Sequence, residues 1–204
     1  MANENVIVVT FDEPSKAYQA LSVLKHQSLE RKIKLHSAAV VERTPTGTYA
    51  IKESETPRAG STTSTGGLIG ALVGILGGPI GVLLGWGAGA LAGAAIEAND
   101  AFSSLAALQS VGEKIAPGGT GLVAELEEEQ PHQTDWELGN LGGTVSRWTS
   151  TEIEEEIKSA HQAQDAAQKE ARRVVRDNKS ASLGERIQDV VEDIKERIPG
   201  GSDR

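Results

Sequence analysis

Cysteine is absent from the 204 residues, which removes disulfides, thiolate metal sites and cysteine nucleophiles together and agrees with a reducing compartment. Basic blocks are absent too. The formal net charge of −9 repels nucleic-acid phosphates, and no run of Lys and Arg interrupts the acidity to make a binding stripe, so no nucleic-acid partner is expected. The first positive charge is Lys16, behind the apolar run Val6-Ile7-Val8-Val9. The start therefore lacks the basic region of a secretory signal and is expected to stay inside the cell. His26, His36, His132 and His161 fall in separate segments without metal-ligand spacing. No lysine-containing phosphate loop occurs, and Ser61 and Ser103 lack the context of a nucleophile elbow. These absences lead to the expectation of no catalytic residue, no cofactor and no metal.

One further absence is local. From Gly66 to Ile96 there is no charged residue, and glycine recurs at every fourth position in two interlocking runs, Gly66, Gly70, Gly74, Gly78 and then Gly77, Gly81, Gly85, Gly89, Gly93. Positions four apart share a helix face, so each run removes a stripe of Cβ atoms and lets another backbone come close. Glycine inside a helix costs roughly 0.5–1 kcal/mol against alanine, a cost that tight helix packing must offset. The expected packing face is Gly66, Gly70, Gly74, Gly78, Gly81, Gly85, Gly89 and Gly93.

The stretches either side of Pro79 are each shorter than the ~20 residues that span a bilayer. A single kinked span would divide the rest of the fold between two sides of a membrane. Two arrangements remain: a helical hairpin dipping into one leaflet, or a hairpin buried against copies of itself in a soluble oligomer. An apolar core hairpin inside a monomer is the weaker reading, because glycines forfeit side-chain packing. Gly85-x-Gly87-x-Gly89 imitates a dinucleotide fingerprint, but Glu97 and Asp100 come too early to hold a ribose, and the four-residue period already accounts for the glycines.

Outside this segment the composition, 38% hydrophobic and 24% charged, is that of one domain with extensions. Val6 to Phe11 reads as a central strand, and Asp12-Glu13-Pro14 opens a helix with Ala17, Leu21 and Leu24 on its apolar side, to about Lys32. Ser37 to Glu42 and Tyr49 to Glu53 form a hairpin around Pro45 and Gly47, followed by a polar linker to Thr65. Beyond the glycines, Asn99-Asp100 caps a helix with the stripe Phe102, Leu105, Leu108, Val111 and Ile115. Next comes a strand with Leu122, Ala124 and Leu126 buried and Glu125 and Glu127 wet. The run Glu125, Glu127, Glu128, Glu129 reads as a solvated strand edge. A short helix, Pro131 to Leu141, carries Trp136, and a last strand, Thr144 to Thr149, holds Trp148.

This order predicts an α+β fold: a ferredoxin-like sandwich over 1–150 with an inserted glycine-zipper helical hairpin at 66–96, and a C-terminal helical extension. The extension divides into a long charged helix at 151–176, opened by a capping box of Thr151 and Glu154, a linker at 177–182 and an amphipathic helix at 183–198. The apolar face of the last helix, Leu183, Ile187, Val190, Val191, Ile194 and Ile198, suits docking onto a protein partner or another subunit.

Five segments in this order, Val8-Val9-Thr10-Phe11-Asp12, Ala39-Val40-Val41, Gly77-Gly78-Pro79, Lys114-Ile115-Ala116-Pro117-Gly118 and Gly142-Gly143-Thr144-Val145, resemble domain-of-unknown-function family twelve-sixty-nine over roughly Val6 to Ile157. Members are bacterial and archaeal proteins often labelled as predicted membrane proteins. The resemblance implies a fold and a membrane connection and carries over no site residue. The functional expectation is a non-catalytic, homo-oligomeric scaffold or adaptor, associated with membrane lipid through 66–96 at the cytoplasmic face of the inner membrane. The alternative is a soluble cytoplasmic oligomer holding a small hydrophobic ligand.

Overall fold

The computed structural model describes residues 3–55, 67–78, 81, 105–166, 168, 169, 172 and 173. Five strands, β1 (Asn3–Thr10), β2 (Ile33–Arg43), β3 (Tyr49–Glu55), β4 (Thr120–Glu128) and β5 (Thr144–Thr149), form one sheet in the order β3-β2-β4-β1-β5, with every neighbouring pair antiparallel. The helices among the described residues are α1 (Pro14–Leu29), α2 (Gly67–Gly77), α3 (Ala106–Lys114), α4 (Pro131–Asn140) and α5 (150–166). This is a mixed α/β protein with a five-stranded antiparallel sheet.

Both faces of the sheet are covered. Strand residues alternate, so Ile7, Val9, Ala38, Val40, Leu122 and Leu126 pack with Leu21 and Leu24 of α1 and Leu138 of α4. Val6, Val8, Ala39, Val41 and Val123 point the other way, into a second core with α2, α3 and α5. The expected sandwich thus acquires a third layer. The near-continuous apolar runs of β1 and β2 suit strands with no wet side.

Two departures from strict alternation matter. A bulge between Leu35 and Ser37 on β2 inserts His36 against β4. Because side chains alternate with period two, the extra residue reverses parity and brings Ser37 to the face of Glu125. β4 is also not an edge. It lies between β2 and β1, and Glu125 and Glu128 are buried, which corrects the expectation of a solvated strand edge.

Pro14 starts α1 directly after Glu13, whose backbone is extended, as a first-turn proline should. The helix ends in a Schellman motif: the Lys32 amide donates to the Gln27 carbonyl at 3.0 Å and the Arg31 amide to the Ser28 carbonyl at 3.1 Å. The left-handed residue of that motif, usually glycine, is Arg31, with φ 60°. A side chain there costs roughly 1–2 kcal/mol.

α5 begins at Ser150, and the Thr149 hydroxyl accepts the Glu152 amide at 3.2 Å, so the cap stands two residues before the Thr151 expected from the sequence. Ile153, Ile157 and Ala160 are buried against the sheet, and the first compact unit accordingly runs to Gln162. The described residues of the second unit, from Ala163 on, are helical.

Candidate functional site

α2 is the described part of the glycine-rich segment, and its two sides differ. Ile69, Leu72, Val73, Ile75 and Leu76 are buried in the core shared with β2, β3 and α3. Gly67 and Gly74 are exposed and Gly70 is half-buried on the other side. A Cβ built on Gly74 would meet none of the described residues within 4 Å. On Gly77 it would stand 3.1 Å from the Tyr49 carbonyl oxygen, so this glycine lets the helix end close over the backbone of β3. Gly78 and Gly81 serve the chain's own fold: their Cβ atoms would fall against the carbonyl oxygens of Gly74 and Leu76 respectively. The described glycines of the expected packing face therefore separate into an outward side and positions of internal close approach. Gly66, Gly85, Gly89 and Gly93 lie outside the described residues, as do Leu183, Ile187, Val190, Val191, Ile194 and Ile198.

The apolar side of α2 is committed to this chain's own core. With 11 residues the helix is about 16 Å long at 1.5 Å per residue. No helix among the described residues is long and apolar enough to cross a membrane.

α3, packed beside α2, is held at both ends by charges. The Glu156 carboxylate on α5 accepts the amides of Ala107 at 3.0 Å and Leu108 at 2.7 Å, which the positive end of the helix dipole favours. At the other end the Arg43 guanidinium donates to the carbonyls of Gly112 at 3.2 Å and Ile115 at 3.0 Å. Arg43 also lies 5.4 Å from the centroid of the Tyr49 ring, whose hydroxyl donates to the Gly112 carbonyl. Burial pushes the Tyr49 phenol up to about 12, against a smaller opposing pull from Arg43, so it stays a donor at any physiological pH.

Three polar groupings could not be read from the chain. Glu125 accepts the Ser37 hydroxyl at 3.0 Å, and burial raises its pKa above the usual carboxylate range, with the Ser37 bond and the nearby His36 pulling the other way. His36 stands 3.3 Å from Glu4 and 3.7 Å from Glu127, pairings that are ionic only when the imidazole is protonated. On the opposite face Arg147 bridges Glu128 at 2.8 Å and Asp135 at 2.9 Å, while one oxygen of the buried Glu128 has no hydrogen-bond partner among the described residues. The acid partners hold the Arg147 pKa above its ordinary value despite partial burial. No group of three or more potential metal ligands occurs among the described residues.

Two adjoining clefts, about 520 and 210 Å³, open where α1, β2, β4 and α4 meet. Both include Arg31, Lys32, Ile33 and Glu129 in their walls. These walls are mainly charged and polar, unlike a pocket for a hydrophobic ligand. No family model, no curated protein and no solved structure matches the chain.

Proposed function

We propose that this chain is a non-catalytic, self-assembling scaffold whose contact surface is the glycine face of α2, and that the uncharged stretch 66–96 associates it with lipid at the cytoplasmic face of the inner membrane. One observation carries the reading. α2 turns its bulky residues inward and its small ones outward, and no described residue comes within 4 Å of a Cβ built on Gly74, which leaves room for a helix backbone to approach. Among the described residues nothing requires glycine at that position, since alanine there would favour the helix without a clash.

The ferredoxin-like reading of the body draws support from strand order. Taking β1-α1-β2 and β4-α4-β5 as its two halves gives the run β2-β4-β1-β5, with β3, α2 and α3 inserted between the halves. A second contact, through the apolar face from Leu183 to Ile198, belongs to the same proposal, with a protein partner or another subunit as its occupant.

The test is cell fractionation with an alkaline carbonate wash, followed by native mass measurement of the extracted protein. Retention by membranes and a mass of several chains are expected. Recovery as a detergent-free monomer in the soluble fraction overturns both parts.

A further inference from the structure

The clefts beside the end of α1 hold one charge of each sign that has no ion-pair partner among the described residues. Lys32 is paired with Glu30 at 2.8 Å and Lys34 with Glu127 at 2.6 Å. Arg31 and Glu129, both exposed and both in the walls of the two clefts, form no ion pair within 4.0 Å among the described residues. Arg31 moreover sits in the left-handed conformation that glycine takes most easily. Strain retained at one side chain, on a wall of a cavity, points to a role for that side chain.

A third group completes the pattern. Gln27 lines the smaller cleft at 2% exposure, and its Oε1 accepts no hydrogen bond from the described residues. A buried carbonyl oxygen of this kind needs an N–H or O–H donor. The free groups therefore offer a planar fork of donors for an anion, a carboxylate for a cation and an amide oxygen for a donor. A polyanion is disfavoured, because Glu127 and Glu129 both stand in the larger cleft. A cation alone would leave Arg31 unanswered.

We infer that the double cleft binds a small zwitterion bearing a carboxylate and an ammonium group close together, that is, a free α-amino acid. The carboxylate meets Arg31, and the ammonium lies between Glu129 and Gln27. The smaller cleft, at about 210 Å³, admits a molecule of that size, and the larger leaves room for a side chain. No residue lining the clefts belongs to α2.

The experiment is an NMR titration of the full chain, following the side-chain amides of Gln27, Gln130 and Gln133 with glycine, L-alanine, L-serine and L-glutamine as probes. N-acetylglycine and glycinamide, each lacking one charge, are the controls. Saturable shifts at millimolar concentration are expected from at least one free amino acid and from neither control. Arg31→Gly and Glu129→Gln should each weaken that binding by about tenfold or more, equivalent to one decade in Kd. Arg31→Gly should melt no lower than the parent, because glycine suits the left-handed turn, so loss of binding will not reflect loss of fold. Absence of saturable shifts from every probe, equal binding of a control, or undiminished affinity in both variants overturns the assignment.

Discussion

Glu125 and Glu128 have the same side chain and answer burial differently. Glu125 accepts the Ser37 hydroxyl and is pushed toward its protonated form by burial, whereas Glu128 meets the guanidinium of Arg147. An acid whose pKa is raised on folding holds its proton longer in the folded chain than in the unfolded one. Stability from this group is therefore greatest at acid pH and declines as pH rises from the unfolded value through the folded one. Glu125→Gln, which can still accept the Ser37 hydroxyl, should raise the melting temperature at neutral pH. The gain should vanish below about pH 4, where the unfolded carboxyl is also protonated. A gain that persists unchanged at low pH would show that burial of charge is not its origin. At the other site, Arg147→Met strands a buried carboxylate and should cost about 3 kcal/mol in chemical denaturation. Adding Glu128→Leu should recover most of that loss.

At the scale of elements, α3 depends on partners distant in sequence. Glu156→Gln removes the charge facing its N-terminus while keeping the shape, and should cost about 1 kcal/mol. Hydrogen exchange at the amides of Ala107 and Leu108 should accelerate more than exchange in β1. For α2 the contrast between two glycines is the measurement. Gly74→Ala should stabilise the isolated body by about 0.5–1 kcal/mol, because its Cβ meets none of the described residues and alanine favours the helix. Gly74→Leu should lower the oligomer mass under native conditions. An unchanged mass for Gly74→Leu rules out this face as the assembly contact. Gly77→Ala, by contrast, presses on the Tyr49 carbonyl and should stabilise the body less than Gly74→Ala does, at any state of assembly.

The whole molecule sets the boundary of the body. Truncation after Gln162 should leave one cooperative unfolding transition, since the first compact unit ends there. Truncation after Thr149 removes Ile153, Ile157 and Ala160 from the second core. Each isoleucine contributes about 1.5–3 kcal/mol by burial, so the shorter chain should lose cooperativity or unfold at markedly lower denaturant. Equal midpoints for the two truncations would show that α5 is no part of the core.

The strands, α1, α4 and the hairpin of β2 and β3 were legible because their signals are local. Pro14 opens a helix wherever it stands after an extended residue, and β-branched runs such as Val6 to Val9 favour strands regardless of neighbours. The glycine period was legible too, but the burial of Ile69, Leu72, Val73, Ile75 and Leu76 in the chain's own core was not. Which side of α2 the protein itself covers was not, because period four places residues on faces without saying what lies opposite. The same limit explains β4: alternating Glu and Leu describes a half-wet strand until β1 and β2 close on both edges and helices on both faces. The bulge at His36, the capping of α3 by Glu156 and Arg43, and the meeting of Arg31 with Glu129 around one cleft join residues separated by tens of positions. Local chemistry determined the elements. Only the packing of those elements decided which charges are buried, which are paired and which face open space, because desolvation and Coulomb energy depend on distances in three dimensions rather than along the chain.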